Sequence, residues 1–366
     1  MAGVKPRALV LSALSQGTGS GLRARYLAEA LARLGWDARL VSPRGVPMPY
    51  SGEVLAAAPR LAWQALGRYD LAVGVKPYPD VWLALGLARL GGALAVVDVD
   101  DADGAYRGGF LAGLTRTLQA PAFRVAQLVS THHPLLRQEL ERKHGAGRVL
   151  DLPQGVDLGL FDGRARRGGA AAWRRKAGLS RKTLLGFTAH LNVACQLECL
   201  LQAAGPWLRR HGDAVLIVAG GGPLLEHFRA MAGPLGPSVR FEGPQTPLQA
   251  ATVLAACDVS VSVYGPAMGN RYRVPMKVAE SLALGKPVVT NLVPGLAPLA
   301  PYLERSEPDP VSFGRALDRA LARGLPKARL GRAYVRRHLD WSRLAAGLLA
   351  QARRVRPSLP RGQGEA

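Results

Sequence analysis

A single pattern recurs from one end of the chain to the other: a short aliphatic run, a glycine-containing turn, then a stretch with apolar residues at helical spacing. It opens at residues 8–12 (ALVLS), which read as a buried strand, followed by the tight turn 17–21 (GTGSG). Residues 22–34 come next, with Leu22, Tyr26, Leu27, Ala30, Leu31 and Leu34 on one helix face and Gly35 closing the helix. Residues 37–41 start another strand, completing a βαβ unit. Further strands are expected at 71–75, 94–97 and 127–130. A second series has strands at 183–188, 214–219, 239–242, 259–263 and 287–291, with a helix over 196–208 after the first. Strands apolar over their whole length belong in a parallel sheet covered on both faces. The expected fold class is therefore α/β, with two Rossmann-like, doubly wound domains facing a cleft and ligands held at the strand carboxyl ends.

The expected organisation is an N-terminal domain over 1–160, a linker over 161–180, a C-terminal domain over 181–343, a last helix over 344–356 returning to the first domain, and a disordered tail over 357–366. The linker assignment rests on the polar, basic, glycine-rich character of 159–180. At 366 residues and 48% hydrophobic content the chain has enough apolar material for two cores. No run reaches the roughly 18 uncharged apolar residues of a membrane span, since the most apolar region, 81–97, is broken by Arg89 and by glycines. No signal-peptide order precedes the first strand, so a soluble, cytoplasmic protein is expected. Cys195, Cys199 and Cys257 are too few and too scattered for a disulfide framework, and read as core thiols.

The net charge of +22 is conspicuous, and Arg164, Arg166, Arg167, Arg174, Arg175, Lys176, Arg181 and Lys182 form one stretch without an acid. Such a field attracts polyanions, anionic lipid or phosphorylated substrates, although solvated arginine-rich faces explain the same composition. Nucleic acid is disfavoured, because no binding motif or aromatic–basic interleaving accompanies the charge.

Two segments offer chemistry. The turn at 17–21 follows a strand and opens a helix, so its amides suit an anion, but it lacks the Walker and full GxGxxG spacings. The richer segment is 270–295 (NRYRVPMKVAESLALGKPVVTNLVPG). Pro275 suits the first turn of a helix, and Lys277 and Glu280 lie three residues apart on one face. Free amides at that helix start, with Arg271, Arg273 and Lys277, suit a diphosphate, and Glu280 suits a ribose diol.

The segment PMKVAESLALGKPVV (275–289) resembles the hallmark of glycosyltransferase family 4, the GT-B enzymes of glycosyl transferases group 1. Four further pieces stand in the family's order. They are 11–42, similar to the opening strand, glycine loop, helix and strand; 149–161 (VLDLPQGVDLGLF), similar to the inter-domain signature with Gln154 in the usual Asn place; 214–228; and 239–263. The resemblance implies a retaining, metal-independent transfer from a nucleotide-sugar, which acts as co-substrate, so no cofactor is expected. It places the ribose on Glu280, the sugar and pyrophosphate by 269–275 (Arg271, Tyr272 and Arg273), the nucleobase by the backbone near Gly243 and Pro244, and the phosphates also near Gly19, Ser20 and Gly21.

The departures are as informative. The first of the family's two acids falls on Tyr272, and its Arg and Lys after the first C-domain strand become His190 and Cys195. Its His-Asp pair corresponds to the 97–101 stretch, where Asp100 or Asp101 would face acceptor or donor sugar, unless this carboxylate cluster simply caps the next helix. Asp98-Val99-Asp100 has the spacing of a metal-binding Asp-x-Asp, but the resemblance argues against metal. His132 and His133 end another strand, and a helix cap is the preferred reading. Lys277, Asp100, Asp101 and His190 are the candidate catalytic residues. The acceptor is left unidentified, with a phosphorylated or membrane-associated one, reached at the inner membrane face, suggested by the charge. An inactive binding or scaffolding protein, or a GT-B-like epimerase, is the competing reading, and oligomeric state is left open.

Overall fold

The computed structural model describes residues 4–43, 52–100, 102, 109–266 and 268–365. The chain divides into two compact units, 1–155 with 341–366, and 156–340.

The first unit runs β1 (Arg7–Ser12), α1 (Gly19–Arg33), β2 (Asp37–Val41), α2 (Gly52–Ala65), β3 (Leu71–Val75), α3 (Pro79–Leu90), β4 (Leu94–Val99), α4 (Gly109–Gln119), α5 (Ala122–Val125), β5 (Leu128–Thr131), α6 (Pro134–His144) and β6 (Val149–Asp151). Its six strands are all parallel, in the order β2-β1-β3-β4-β5-β6. Every residue of β3 and β4 is buried, as a sheet covered on both faces requires. Gly74 lets α3 close on β3, because a Cβ there would lie 2.5 Å from Val81.

The second unit runs α7 (Gly163–Lys176), β7 (Thr183–Thr188), α8 (Leu197–Arg210), β8 (Ala214–Ala219), α9 (Leu225–Ala232), β9 (Val239–Gly243), α10 (Pro247–Ala256), β10 (Val259–Ser262), α11 (Met276–Ala283), β11 (Val288–Thr290), β12 (Glu304–Arg305), α12 (Pro310–Arg323) and α13 (Leu325–His338). Its parallel sheet has the order β12-β11-β10-β7-β8-β9, which reverses between β7 and β10. One core packs α8 and α12 against one side of this sheet, with Trp207 and Phe313 at its centre. A second gathers Phe161, Tyr264, Val278, Leu282 and Leu296.

Three expectations are corrected. The region read as a linker, 161–180, is mostly helix α7 and belongs to the second unit. Asp162 caps it by accepting from the Arg164 amide, and Arg174 ties it down through Ala256 and Asp258, each at 2.6 Å. Its glycines are packing devices: Gly163 sits against the Leu284 carbonyl, where a Cβ would be 2.3 Å away. The boundary between units is instead at Gly155, inside the 149–161 motif. Helix α1 begins at Gly19, so Gly19, Ser20 and Gly21 are its first turn rather than the loop before it.

The third correction concerns the tail. After α14 (Trp341–Val355), which belongs to the first unit and packs on α1, the chain to Glu365 is placed and pinned. The Glu365 carboxylate accepts from the Trp36 indole at 2.8 Å, from Arg353 at 2.9 Å and from the Gly362 amide at 2.7 Å. These bonds satisfy a carboxylate that composition alone marks as part of a polar, solvated end. Among the described residues no helix is long and apolar enough to cross a membrane.

Candidate functional site

In the second unit the polar side chains converge where the sheet reverses, at the carboxyl ends of β7 and β10, the place where doubly wound sheets hold ligands. Helix α11 starts there without a side-chain cap on Pro275, which is the N-cap rather than the first helical residue. Its leading amides are therefore open to an anion. Lys277 lies one residue into the helix, with Nζ 3.9 Å from the centre of the Phe187 ring on β7. Burial pushes its ammonium down to about 8, against the smaller opposing pulls of Cys195 and Glu280. Burial likewise pushes the Glu280 carboxyl up to about 7, only partly offset by Lys277. Neither side chain has a hydrogen-bond or ion-pair partner among the described residues, and both keep a partial opening to solvent. A cation and a carboxylate left unpaired on one face of a helix start are free for a ligand.

Gly265 and Asn270, ahead of α11, are held by Gln196. Gln196, in the left-handed conformation with φ 54°, accepts from the Gly265 amide at 2.6 Å and from Asn270 at 3.0 Å, while Asn270 donates to the Gly265 carbonyl at 2.7 Å. Arg273 lies over the Tyr264 ring, whose buried hydroxyl is pushed up to about 12 by burial. Arg271 is exposed and sits over Tyr272. The 220–222 glycine turn abuts the loop after β7, since a Cβ at Gly220 would lie 1.8 Å from the Ala189 carbonyl. His190 on that loop is exposed, whereas Cys195 is buried with its thiol pushed up by desolvation. Gly243 ends β9 with φ 69°, and its carbonyl accepts from Gly220, ahead of Pro244. Sequence reasoning missed Gln196, Phe187 and Tyr264, because nothing in their spacing marks them as neighbours of α11.

The first unit carries a separate polar cluster at its own strand ends. Arg23 of α1 and Asp98 of β4 form a buried bidentate pair at 2.6 and 2.9 Å. Ser130 donates to the same carboxylate, and the remaining Arg23 donors reach Leu152, Pro153 and Gln154. Gln154, the residue that departs from the family signature, thus serves as an acceptor for Arg23. Lys76, with φ 68°, pairs with Asp100 at 3.1 Å. Burial alone would raise the Asp100 carboxyl, but Lys76 and the Ser20 hydroxyl outweigh it and hold it below its usual range. The Asp98 and Asp100 carboxylates therefore meet basic side chains instead of capping a helix. His133 does cap α6, accepting from the Leu135 amide at 3.2 Å, and His132 does not. Of the α1 amides, that of Gly21 is taken by the Thr18 hydroxyl, leaving those of Gly19 and Ser20. Asp101 lies outside the described residues.

Comparison with solved structures gives the class of the fold. Sucrose-phosphate synthase from Thermosynechococcus elongatus superposes with a TM-score of 0.73 at 18% identity, covering 96% of this chain and 99% of that one. The HepE protein of Anabaena in complex with UDP gives 0.71 at 14% identity, covering 94% and 98%. The α,α-trehalose 6-phosphate synthase of Burkholderia multivorans gives 0.66 at 15% identity, covering 98% and 100%. A comparison with curated protein sequences finds no match. The chain has the GT-B fold of two Rossmann-like α/β units. Within it, residues 182–322 match the family described as Glycosyl transferases group 1, so the second unit carries that family's domain.

Proposed function

We propose that the protein is a retaining glycosyltransferase that binds a nucleotide-sugar in its second unit and passes the sugar to a hydroxyl of an acceptor held by the first. The observation that carries this is the unpaired Lys277 and Glu280 on the uncapped start of α11, beside Phe187, within the family-matched segment. In this reading Glu280 accepts from the ribose hydroxyls and the backbone at Gly243 and Pro244 faces the nucleobase. Lys277, with Arg271, Arg273 and the α11 amides, offsets the charge that grows on the departing diphosphate. Fixed donors of this kind stabilise a leaving group without rearranging at the moment of reaction. Metal is not required, because those groups supply the positive charge and the Asp98 and Asp100 carboxylates are already matched by Arg23 and Lys76.

A thermal-shift panel of UDP-, GDP-, ADP- and TDP-sugars, run on the native chain and on Glu280→Ala, tests the binding half. One nucleotide class should raise the transition, by about 2.7 kcal/mol at a hundred times its dissociation constant, and the variant should abolish the response. No response to any nucleotide would sink the proposal. The Cys195 position favours one alternative, a nucleotide-sugar binder without turnover, since a buried neutral thiol replaces a cation there. That alternative predicts a thermal shift but no diphosphate release with any acceptor.

A further inference from the structure

The second unit carries a cleft of about 290 Å³ at the other edge of its sheet from Lys277 and Glu280. Its walls are α7, the end of α10 and the turns that lead into β10 and β11, so it lies at the amino ends of the strands. Doubly wound sheets hold their substrates at the carboxyl ends, and the donor chemistry has no use for a hollow here. Three cations line the cleft, Arg167 and Arg174 of α7 and Lys286 ahead of β11, with a single carboxylate, Asp258. The rest of the lining is small and apolar, chiefly alanine. Asp258 is already engaged, because one of its oxygens accepts from Arg174 at 2.6 Å and from the Leu184 amide at 2.8 Å. Arg174 also donates to the Ala256 carbonyl at 2.6 Å, which fixes that wall. The side chains of Lys286 and Arg167 have no hydrogen-bond or ion-pair partner among the described residues.

The charges say which ligand. Lys286 is half-buried, and burial pulls its ammonium below the ordinary value against the smaller opposing pulls of Cys257 and Asp258. A cation withdrawn from water without a partner carries a desolvation cost that a bound anion would offset. Arg167, which is exposed, supplies a second free charge. Two free cations match a phosphoryl group, which carries about −1.5 to −2 at neutral pH, whereas a carboxylate would answer only one of them. Guanidinium and ammonium groups are also the side chains that bond phosphoryl oxygens best. The cleft is larger than a phosphoryl group and stands at the lower limit of small-molecule sites, so the remaining space takes a compact carbon body against the alanines. We infer that Arg167, Arg174 and Lys286 form a binding site for a small phosphate monoester, separate from the donor site. The binding does not depend on the functional reading above.

The test is competitive acetylation of the lysines in the full chain with acetic anhydride, each site read by peptide mass spectrometry. Inorganic phosphate, glycerol 3-phosphate and glycerol are added one at a time at matched ionic strength. Both anions should slow acetylation of Lys286 saturably, glycerol 3-phosphate at the lower concentration, while the exposed Lys143 and Lys176 react as before. Failure of both anions to protect Lys286, equal slowing of Lys143 and Lys176, or protection by glycerol would overturn the inference. Equal potency of the two anions would overturn the assignment to a monoester. Arg167→Glu, a reversal of charge at an exposed position, should raise the protecting concentration about tenfold, and an unchanged value would count against the site. Lys277→Met separates this cleft from the donor site. Protection of Lys286 that persists in that variant stands even if no nucleotide-sugar binds; protection lost with Lys277 would sink this site and leave the proposed transferase function untouched.

Discussion

Replacing Glu280 by Gln should make the free protein more stable and the nucleotide-bound protein weaker, two effects of opposite sign from one side chain. Burial raises the Glu280 carboxyl from 4.5 to about 7. A group whose folded-state value is raised binds more protons folded than unfolded, so its ionisation opposes folding. That opposition is absent below about pH 4.5, grows between 4.5 and 7, and is complete above 7. At about 1.4 kcal/mol for each tenfold change, its ceiling is roughly 3 kcal/mol. Glu280 keeps a partial opening to water, which lowers the expectation to about 1–2 kcal/mol. Glu280→Gln removes this opposition at pH 8 and changes little at pH 5. Against that, a carboxylate accepting from ribose hydroxyls contributes about 1.5–3 kcal/mol. Glutamine retains one acceptor oxygen, so the affinity for the preferred nucleotide should fall about tenfold, the lower end of that range. Urea unfolding followed by tryptophan fluorescence at pH 5 and pH 8 measures the first effect, and calorimetric titration the second. A variant that is less stable at pH 8, or that binds nucleotide with undiminished affinity, would refute the idea that α11 holds a strained carboxylate for its ligand.

Other consequences follow from the same physics. Nucleotide affinity of the native chain should peak between about pH 7 and 8, because Glu280 is ionised above about 7 and Lys277 charged below about 8; Lys277→Met should remove the alkaline limb, read by titration calorimetry across pH. Asp80 is buried at the start of α3 and raised from 3.8 to about 6 by desolvation, so Asp80→Asn should stabilise the first unit above pH 6, by about 1–3 kcal/mol, and lose the advantage below pH 4. Arg23→Met should destabilise by about 3–5 kcal/mol, since it leaves the Asp98 carboxylate buried with its countercharge gone; a thermal transition within a degree of the native value would contradict this. Glu365→Gln should cost about 1–2 kcal/mol through weakened charge-assisted bonds to Arg353 and Trp36, and hydrogen exchange should then show the 356–365 tail opening more often.

Much of the architecture was legible because it is local. The strands at 71–75, 183–188 and 214–219 appear where their apolar runs end in glycine or polar turns, since full burial in a parallel sheet imprints itself on every residue. The helix carrying Lys277 and Glu280 was equally plain, because a three-residue spacing fixes a shared face whatever surrounds it. Helix α7 was not, as its glycines look like linker until Leu284 is seen packed against Gly163. The tail reads as disordered because Glu365 finds Trp36 only after the chain has folded back across more than three hundred residues.

The sites divide along the same line. The sequence by itself determined the two-fold series of βαβ units, the residues of the α11 motif, and the losses of charge at His190 and Cys195, all of which depend on order and spacing along the chain. Only the tertiary structure decided that Gln196 holds Gly265 and Asn270, that Asp98 and Asp100 are claimed by Arg23 and Lys76, and that both His132 nitrogens lack a hydrogen-bond partner among the described residues. These groups come from strands and helices separated by tens of residues, and a protonation state or an orphaned hydrogen bond depends on the neighbours that a parallel sheet assembles, which no local pattern records.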